Sequence, residues 1–362
     1  MMKKSLVALA ALAVVGIASA QSSVTLYGVL DVGFGKVKGG KFGLQNGEGY
    51  VTPTAGSVNN AGRDGFNSTS VIGFRGSEDL GGGLKANFNL QSGGIDLASG
   101  ATPIAFSREA WVGLSGGFGD FQLGRASSVA AKTMGQFDFN GTSYSSALDR
   151  AGVSAVTWYS SSRRSDQLQY ATPNMGGFQA RLGLTLKGDL TNNGVGVPAA
   201  GKDSLSLGLG YANGPLSIAG VAESRNTTAG TARTAYALGA SFDFGVAKIG
   251  ATVNRREVAG AAGANSMATP GAGGKGASVG VVAPIGAFYV GAQYARNSET
   301  NAKATELFAG YNLSKRTKIY ADYVRVTGTN AVAAVAATAT ANGLSAIPRN
   351  PTAFGVGVVH TF

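Results

Sequence analysis

Side chains able to do covalent or acid–base chemistry are scarce in this 362-residue chain, and their placement points away from catalysis. A hydrolytic triad usually takes its base from histidine, and the single histidine, His360, stands two positions from the end. With no cysteine there is no thiolate nucleophile, no disulfide framework and no thiolate metal site. The neighbouring acids Glu78 and Asp79 fall in "SEDLGGG", whose Asp and Gly residues spell a turn. The glycine-rich "GGGLK" lacks the Lys-Ser/Thr spacing of a phosphate-cradling P-loop. No metal-ligand spacing and no cofactor motif is visible, so the reading is of a protein that is not an enzyme and carries no cofactor. What remains is electrostatics. Thirty Lys and Arg face 19 Asp and Glu for a net charge of +11, to which Lys3 and Lys4 contribute two. These cations are scattered singly rather than gathered into a patch, which excludes a nucleic-acid face and leaves a modest bias toward anions.

The elements that would position such charges follow from composition and periodicity. "MMKKSLVALAALAVVGIASAQSS" has a basic start, a short apolar stretch and a small-residue "ASA", the pattern of a secretory signal peptide cleaved after Ala20. Residues 1–20 are therefore expected as the leader and 21–362 as a single mature domain. Glycine is abundant at 57 residues and charged residues make up only 14%, far from an average globular domain. Past residue 20 no apolar run approaches the ~20 residues of a membrane-spanning helix. An exported chain without a helical anchor is either a soluble secreted protein or an outer-membrane barrel.

Periodicity separates the two. "LKANFNLQSG" sorts Leu84, Ala86, Phe88 and Leu90 to one side and Lys85, Asn87, Asn89 and Gln91 to the other, the two-residue period of a strand. "FQARLGLTL", "LSLGLGYA" and "AFYVGAQYAR" repeat it. Between such runs, short turns and long polar links alternate along the chain, seven short and eight long, which predicts sixteen strands. An even strand number with that asymmetry is the signature of a transmembrane up-and-down antiparallel β-barrel. In lipid every backbone group must bond within the sheet, so the sheet must close. Lys or Arg on the outer face at midplane costs roughly 2–4 kcal/mol, so Lys85 and Arg181 are expected to line a wet interior. Phe354 to Phe362 then reads as the closing strand, paired with "SSVTLYGVLDVGF", with Phe362 at the membrane–water interface. Tyr211, Tyr236, Tyr289 and Tyr294 are expected in the same aromatic girdle.

The stretches "QSSVTLYGVLDVGF", "GFRGSEDLGGGLKANFNLQSG", "SREAWVGLSGGFGDFQLGR", "YATPNMGGFQA" and "VGVVHTF" closely resemble the general porins of Gram-negative outer membranes, in their betaproteobacterial branch. The resemblance spans the expected mature chain. It implies a homotrimer of barrels, each with a third extracellular loop folded inward as a constriction, among outer-membrane lipids. Such a protein passes small hydrophilic solutes and inorganic anions by passive diffusion. It also implies that Phe362, with His360 and Val358 behind it, is a signal read by the outer-membrane assembly machinery. The family sets basic wall side chains opposite acids of the inward loop. Arg125 and Arg108 match wall positions by resemblance. Arg75 has interior parity beside Ile72 and Phe74, and Arg163 shares parity with Gln167 and Gln169. Between residues 126 and 165, the longest link, Asp138 and Asp149 are the available acids, either in the constriction or as hydrated loop carboxylates. One wall arginine is replaced, because "SVIGFRGSED" has Val71 where the family keeps arginine. A surplus of arginines over acids predicts a weak to moderate anion preference. The alternative is a substrate-specific channel of the same architecture, for which Tyr27, Tyr144, Phe137 and Phe139 are too few to make an aromatic track.

Overall fold

Alternating side chains demand extended backbone, and the computed structural model of the chain is built mainly of strands. It describes residues 23–37, 43–45, 67–95, 97, 104–141, 146–156, 162–186, 200–227, 232–256, 275–299, 301–328 and 352–362. The expected leader, Tyr144 and an Ala-rich piece at 331–341 lie outside these. Sixteen long strands follow in order. They are β1 (Ser23–Val37), β2 (Val71–Gly81), β3 (Leu84–Gly93), β4 (Glu109–Gly116), β5 (Gly119–Ser127) and β6 (Arg163–Ala171). Then come β7 (Phe178–Thr185), β8 (Ser204–Asn213), β9 (Leu216–Thr227), β10 (Ala232–Asp243) and β11 (Lys248–Arg256). The last are β12 (Lys275–Ile285), β13 (Phe288–Asn297), β14 (Lys303–Asn312), β15 (Thr317–Thr327) and β16 (Thr352–Thr361). Two three-residue strands add to the sheet: Gly43–Gln45 folds back on β1 and Ala200–Lys202 pairs with β9.

Each long strand is antiparallel to the next, and β1 closes the ring by serving two partners. Its first half pairs with β2, from Ser23↔Ser77 to Val29↔Val71, and its second half with β16, from Val29↔Thr361 to Val37↔Ala353. Strands are joined at one end by tight turns, such as that between β2 and β3, where Gly82 and Gly83 have φ of 61° and 81°. L side chains rarely adopt that region, so glycine belongs there. The long connections gather at the other end.

The two faces differ as lipid and water require. Leu205, Leu207 and Leu209 of β8 are exposed, as are Tyr236 and Leu238 of β10 and Val279 of β12, while the alternate Ser204, Ser206, Ser241 and Ser278 are buried. So much apolar exposure would be a liability in water, and it becomes the supporting surface in a bilayer. Phe178 and Leu182 are exposed as expected, and Tyr211 and Tyr294 join Tyr236 on the outer face. Tyr289 does not: its neighbours Phe288 and Val290 are the exposed ones, and its hydroxyl accepts a 3.3 Å bond from Lys318 Nζ on the opposite face.

The terminal aromatic has a seat of its own. Phe362 exchanges backbone hydrogen bonds of 3.1 Å with Gly28 in both directions. A Cβ added at Gly28 would come within 2.3 Å of the Phe362 ring and 2.7 Å of the Val71 carbonyl. His360 bonds Thr317 through Nδ1 at 2.9 Å, and Val358 and Phe354 share the outer face. Replacing Gly28 by Leu forces the ring off the seam, an overpacking expected to cost about 1–3 kcal/mol. Urea unfolding of the refolded variant, followed by gel mobility before and after boiling, should show a lower midpoint than the parent chain. An unchanged midpoint means the ring does not hold the seam.

Candidate functional site

The polar face of the barrel supports one long insertion, the connection between β5 and β6. Ser128 caps its first helix, α1 (Val129–Met134), by accepting a 3.1 Å bond from the Ala131 amide. A 3-10 turn at Gly135–Phe137 follows, and then α2 (Ala147–Arg150), capped by Ser146. Short polar caps of this kind hold the orphan amides of a helix start. The insertion contacts the polar face because that face is cut back to glycine beneath it. A Cβ at Gly276 would meet Val153 at 2.0 Å, and one at Gly239 would meet the Phe137 ring at 2.5 Å. Gly183, Gly208 and Gly250 continue this lane under Val129, Thr133 and Phe139.

Beyond the lane, wall acids hold the insertion's middle. Glu306 is fully buried, its Oε1 accepting from Asn140 Nδ2 at 2.8 Å and its Oε2 from the Ala147 amide at 2.9 Å. Asn140 also donates to Asp322 Oδ1 at 3.0 Å, and its own carbonyl accepts from Asn67 at 2.7 Å. Asp31 takes the Asn67 and Ser68 amides and the Tyr320 hydroxyl. Gln293 ties both sides together: its Oε1 accepts from the Phe139 amide, and its Nε2 donates to Glu306 and to Asp138. Buried acceptors remain tolerable only when donors reach them, and here the insertion supplies several.

Arg75, Lys85 and Arg181 lie on the polar face, and Arg108, placed by resemblance, reaches that face through Gln91. Arg75 is exposed on β2 with its guanidinium over the Tyr27 ring, 5.0 Å from the centroid. The Tyr27 hydroxyl donates to Asn89 at 2.6 Å and accepts from Gln91, whose Oε1 accepts from Arg108 Nε at 3.0 Å. Arg75, Tyr27 and Arg108 thus form one polar chain on β1 to β4. Lys85 is exposed at the turn end of β3, and Arg181 donates to Gln179 Oε1 at 2.7 Å.

Other expectations are corrected. Arg125 pairs with Ala110, which gives it the register face of Leu123, and it bonds the Ser107 carbonyl and Ser165 at the strand's end. Arg163 loses the parity of Gln167 because Asp166 has φ 47° and the β5–β6 register slips between Gly124 and Ala126. Arg164 takes the buried position instead, in a 2.7 Å ion pair with Glu223 whose side chains are 5% and 1% exposed. Asp138 is buried against the wall, accepting from Ser146 Oγ at 2.5 Å, whereas Asp149 stays partly exposed. Val71, at the replaced arginine, is buried.

The sequence reading missed Lys132. It rises from α1 and donates to Gln122 Oε1 at 2.6 Å and Gln169 Oε1 at 2.7 Å. Burial lowers its pKa to about 8, and the nearby Arg181 pushes the same way against Glu109 and Asp120. No periodicity marks a lysine inside an irregular link, so only the fold reveals it.

Against known proteins, the family model described as Gram-negative porin matches residues 5–331. The chain belongs to the Gram-negative porins. This porin is 34% identical over 334 residues to outer membrane porin protein 32 of Delftia acidovorans, covering 88% of each chain. It is 34% identical over 271 residues to an outer membrane porin protein of Bordetella pertussis, covering 68% of each. Among solved structures it is similar to the anion-selective porin from Comamonas acidovorans. The TM-score there is 0.67 at 28% identity, covering 94% of this chain and 100% of that one. The porin is an outer-membrane channel for passive diffusion.

Titration of Asp138 should report on the seat of the insertion. Burial, followed by repulsion from Glu306, raises its pKa to about 8 from 3.8. A raised carboxyl favours the neutral form when folded, so its contribution is most favourable below about pH 4 and is lost as pH rises toward 8. Above that, the charged group weakens the seat. Single-channel current noise of the porin should grow between pH 6 and pH 9, and Asp138→Asn should remove that growth. Equal noise growth in the variant overturns the assignment.

Proposed function

We propose that the insertion at 128–156 narrows the water-filled passage and that the passage prefers small anions. One observation carries this reading: the charges are sorted. Asp31, Asp138, Glu306 and Asp322 are buried in the seat of the insertion. Meanwhile Lys132 and Arg181 lean on the neutral amides of Gln122, Gln169 and Gln179, and Arg75 on the Tyr27 ring. The field reaching the water is then more basic than the composition suggests. The similar porin of Comamonas acidovorans is anion-selective, which supports the same sign.

The assembled molecule is read as a homotrimer without catalytic function. It is exported by residues 1–20, with cleavage after Ala20, and delivered to the outer membrane through Phe362, His360 and Val358. Arg75, Arg108, Lys85, Arg181 and Lys132 are assigned to the passage. Asp149 is assigned as the loop acid that faces water, in place of Asp138.

Magnitude keeps the preference moderate. Two unit charges ~5 Å apart in water interact by roughly 0.8 kcal/mol, about a four-fold bias, and salt screens beyond ~8–10 Å. Zero-current potentials of purified protein in a planar bilayer, under a potassium chloride gradient, should favour chloride several-fold. Lys132→Gln should lower that ratio by about two- to four-fold. Because Lys132 loses its proton near pH 8, the parent ratio should fall between pH 7 and pH 9 more steeply than that of the variant and approach it. A cation-favouring potential at pH 7 overturns the reading.

A further inference from the structure

The polar face holds two more cations, Lys248 and Lys318, that the channel reading above leaves unassigned. Both are half-buried, at the starts of β11 and β15, just after short turns. Each stands over an aromatic ring. Lys248 Nζ lies 5.5 Å from the centroid of the Phe139 ring. Lys318 Nζ lies 5.6 Å from that of Tyr289, whose hydroxyl accepts from it at 3.3 Å. Among the described residues neither lysine forms an ion pair. Asp243, across the hairpin from Lys248, turns Oδ1 to the Gly245 amide at 2.8 Å. Asp322 and Asp31, whose charges reach Lys318, are buried in the seat of the insertion.

The two rings lie against bare backbone. A Cβ at Gly310 would come within 2.3 Å of the Tyr289 ring, and one at Gly250 or Gly280 within 2.8 or 3.1 Å of the Phe139 ring. Phe308, over Gly291, and Tyr320, over Gly357, continue this paving but are buried, whereas Phe139 and Tyr289 stay half-buried. Register fills the interval with apolar positions: Val282 lies across from Lys248, and Pro284 across from Tyr289. With strands about 4.8 Å apart, the rings bound a shelf roughly 10–15 Å wide, room for one flat ring beside either lysine. A lysine held by a ring face keeps its charge, and the shelf next to it favours apolar surface. Chloride can use only the first property. An aryl carboxylate uses both, its carboxylate on Lys248 or Lys318 and its ring packed offset or edge-to-face on Phe139 or Tyr289.

We propose that this shelf is a binding subsite for aromatic monocarboxylates, built from Phe139 and Tyr289 with the ammonium groups of Lys248 and Lys318. It rests on the reading that the insertion narrows a passage open to anions, and deepens that reading by naming a class of solute the passage prefers beyond charge.

The test is block of the chloride current through purified protein in a planar bilayer at pH 7, titrated with benzoate, cyclohexanecarboxylate and acetate, all monoanions there. Benzoate should halve the current at a concentration at least about five-fold below that for acetate and about two-fold below that for cyclohexanecarboxylate. Phe139→Leu/Tyr289→Leu should bring benzoate and cyclohexanecarboxylate to equality. Lys248→Gln/Lys318→Gln should raise the half-blocking benzoate concentration about five-fold or more. Tyr294→Leu, which removes a ring from the outer face, should keep the parent's order. Gel mobility before and after boiling checks that each variant folds, and the order of the three acids tests the parent even where a variant does not. Equal block by benzoate and either comparison acid overturns the proposal. So does a folded ring variant that keeps the parent's order. Zero-current potentials on the same membranes separate the two levels. Chloride preference with equal block by the three acids removes the subsite alone, whereas a cation-favouring potential with no block by any of them removes the anion reading as well.

Discussion

A backbone amide or carbonyl left open to hydrocarbon has no water to turn to, and that constraint organises the whole molecule. A sheet can satisfy it only by meeting itself, and β1 does so by dividing its length between β2 and β16. Once the ring is closed there are two surfaces and no edge. The two-residue period then decides what each surface touches. Leu205 and Leu207 face outward because Ser204 and Ser206 face in, and neither choice can change alone without slipping the register. The last residue belongs to the same constraint. Phe362 continues the β16 ladder onto Gly28 and adds two backbone bonds to the seam.

A barrel closed in this way still leaves its interior to be filled, and the interior is filled asymmetrically. The insertion after β5 needs a surface without side chains, and glycines such as Gly239 and Gly276 supply it. Apolar side chains such as Val129, Met134, Phe137, Leu148 and Val153 pack it against the wall, but that packing is non-directional, and its position is fixed by directional contacts. Buried carboxylates provide these, with Asn140 bridging Glu306 and Asp322 and Gln293 joining Glu306 to Asp138. Each acid committed to the seat is an acid withdrawn from the water. Anchoring and ion preference are thereby coupled through the same residues.

Much of this was legible in the sequence, and the failures share a cause. Sidedness was readable wherever alternation ran unbroken, which is why Lys85, Arg75 and Arg181 fell on the expected face. Arg163 failed because a bulge at Asp166 adds a residue that parity cannot count. Tyr289 failed because an aromatic beside the aromatic Phe288 offers no contrast from which to choose a side. Asp138 was visible as an acid but not as a buried one, since its partners Gln293 and Ser146 lie 155 and 8 residues away. Lys132 sits in an irregular segment where no period applies. Local pattern, then, specifies the wall, and only long-range pairing specifies what leans on it.

The two sets of cations show how far environment decides a charge's use. On the polar face Arg164 is ion-paired with Glu223, but other cations find neutral groups, as Lys132 does with two glutamine oxygens and Arg75 with the Tyr27 ring. Such partners hold a side chain in place without cancelling its field. On the outer face Arg255, Lys275 and Arg296 are exposed beside Tyr236, Leu238 and Val253 at the end where the long connections gather. A cation near the bilayer midplane is disfavoured by roughly 2–4 kcal/mol, but by only about 0–1 near the interface. These cations are therefore tolerable at their level. A cation's neighbours thus decide whether its field persists, as beside the neutral glutamines, or is cancelled, as in the Arg164–Glu223 pair.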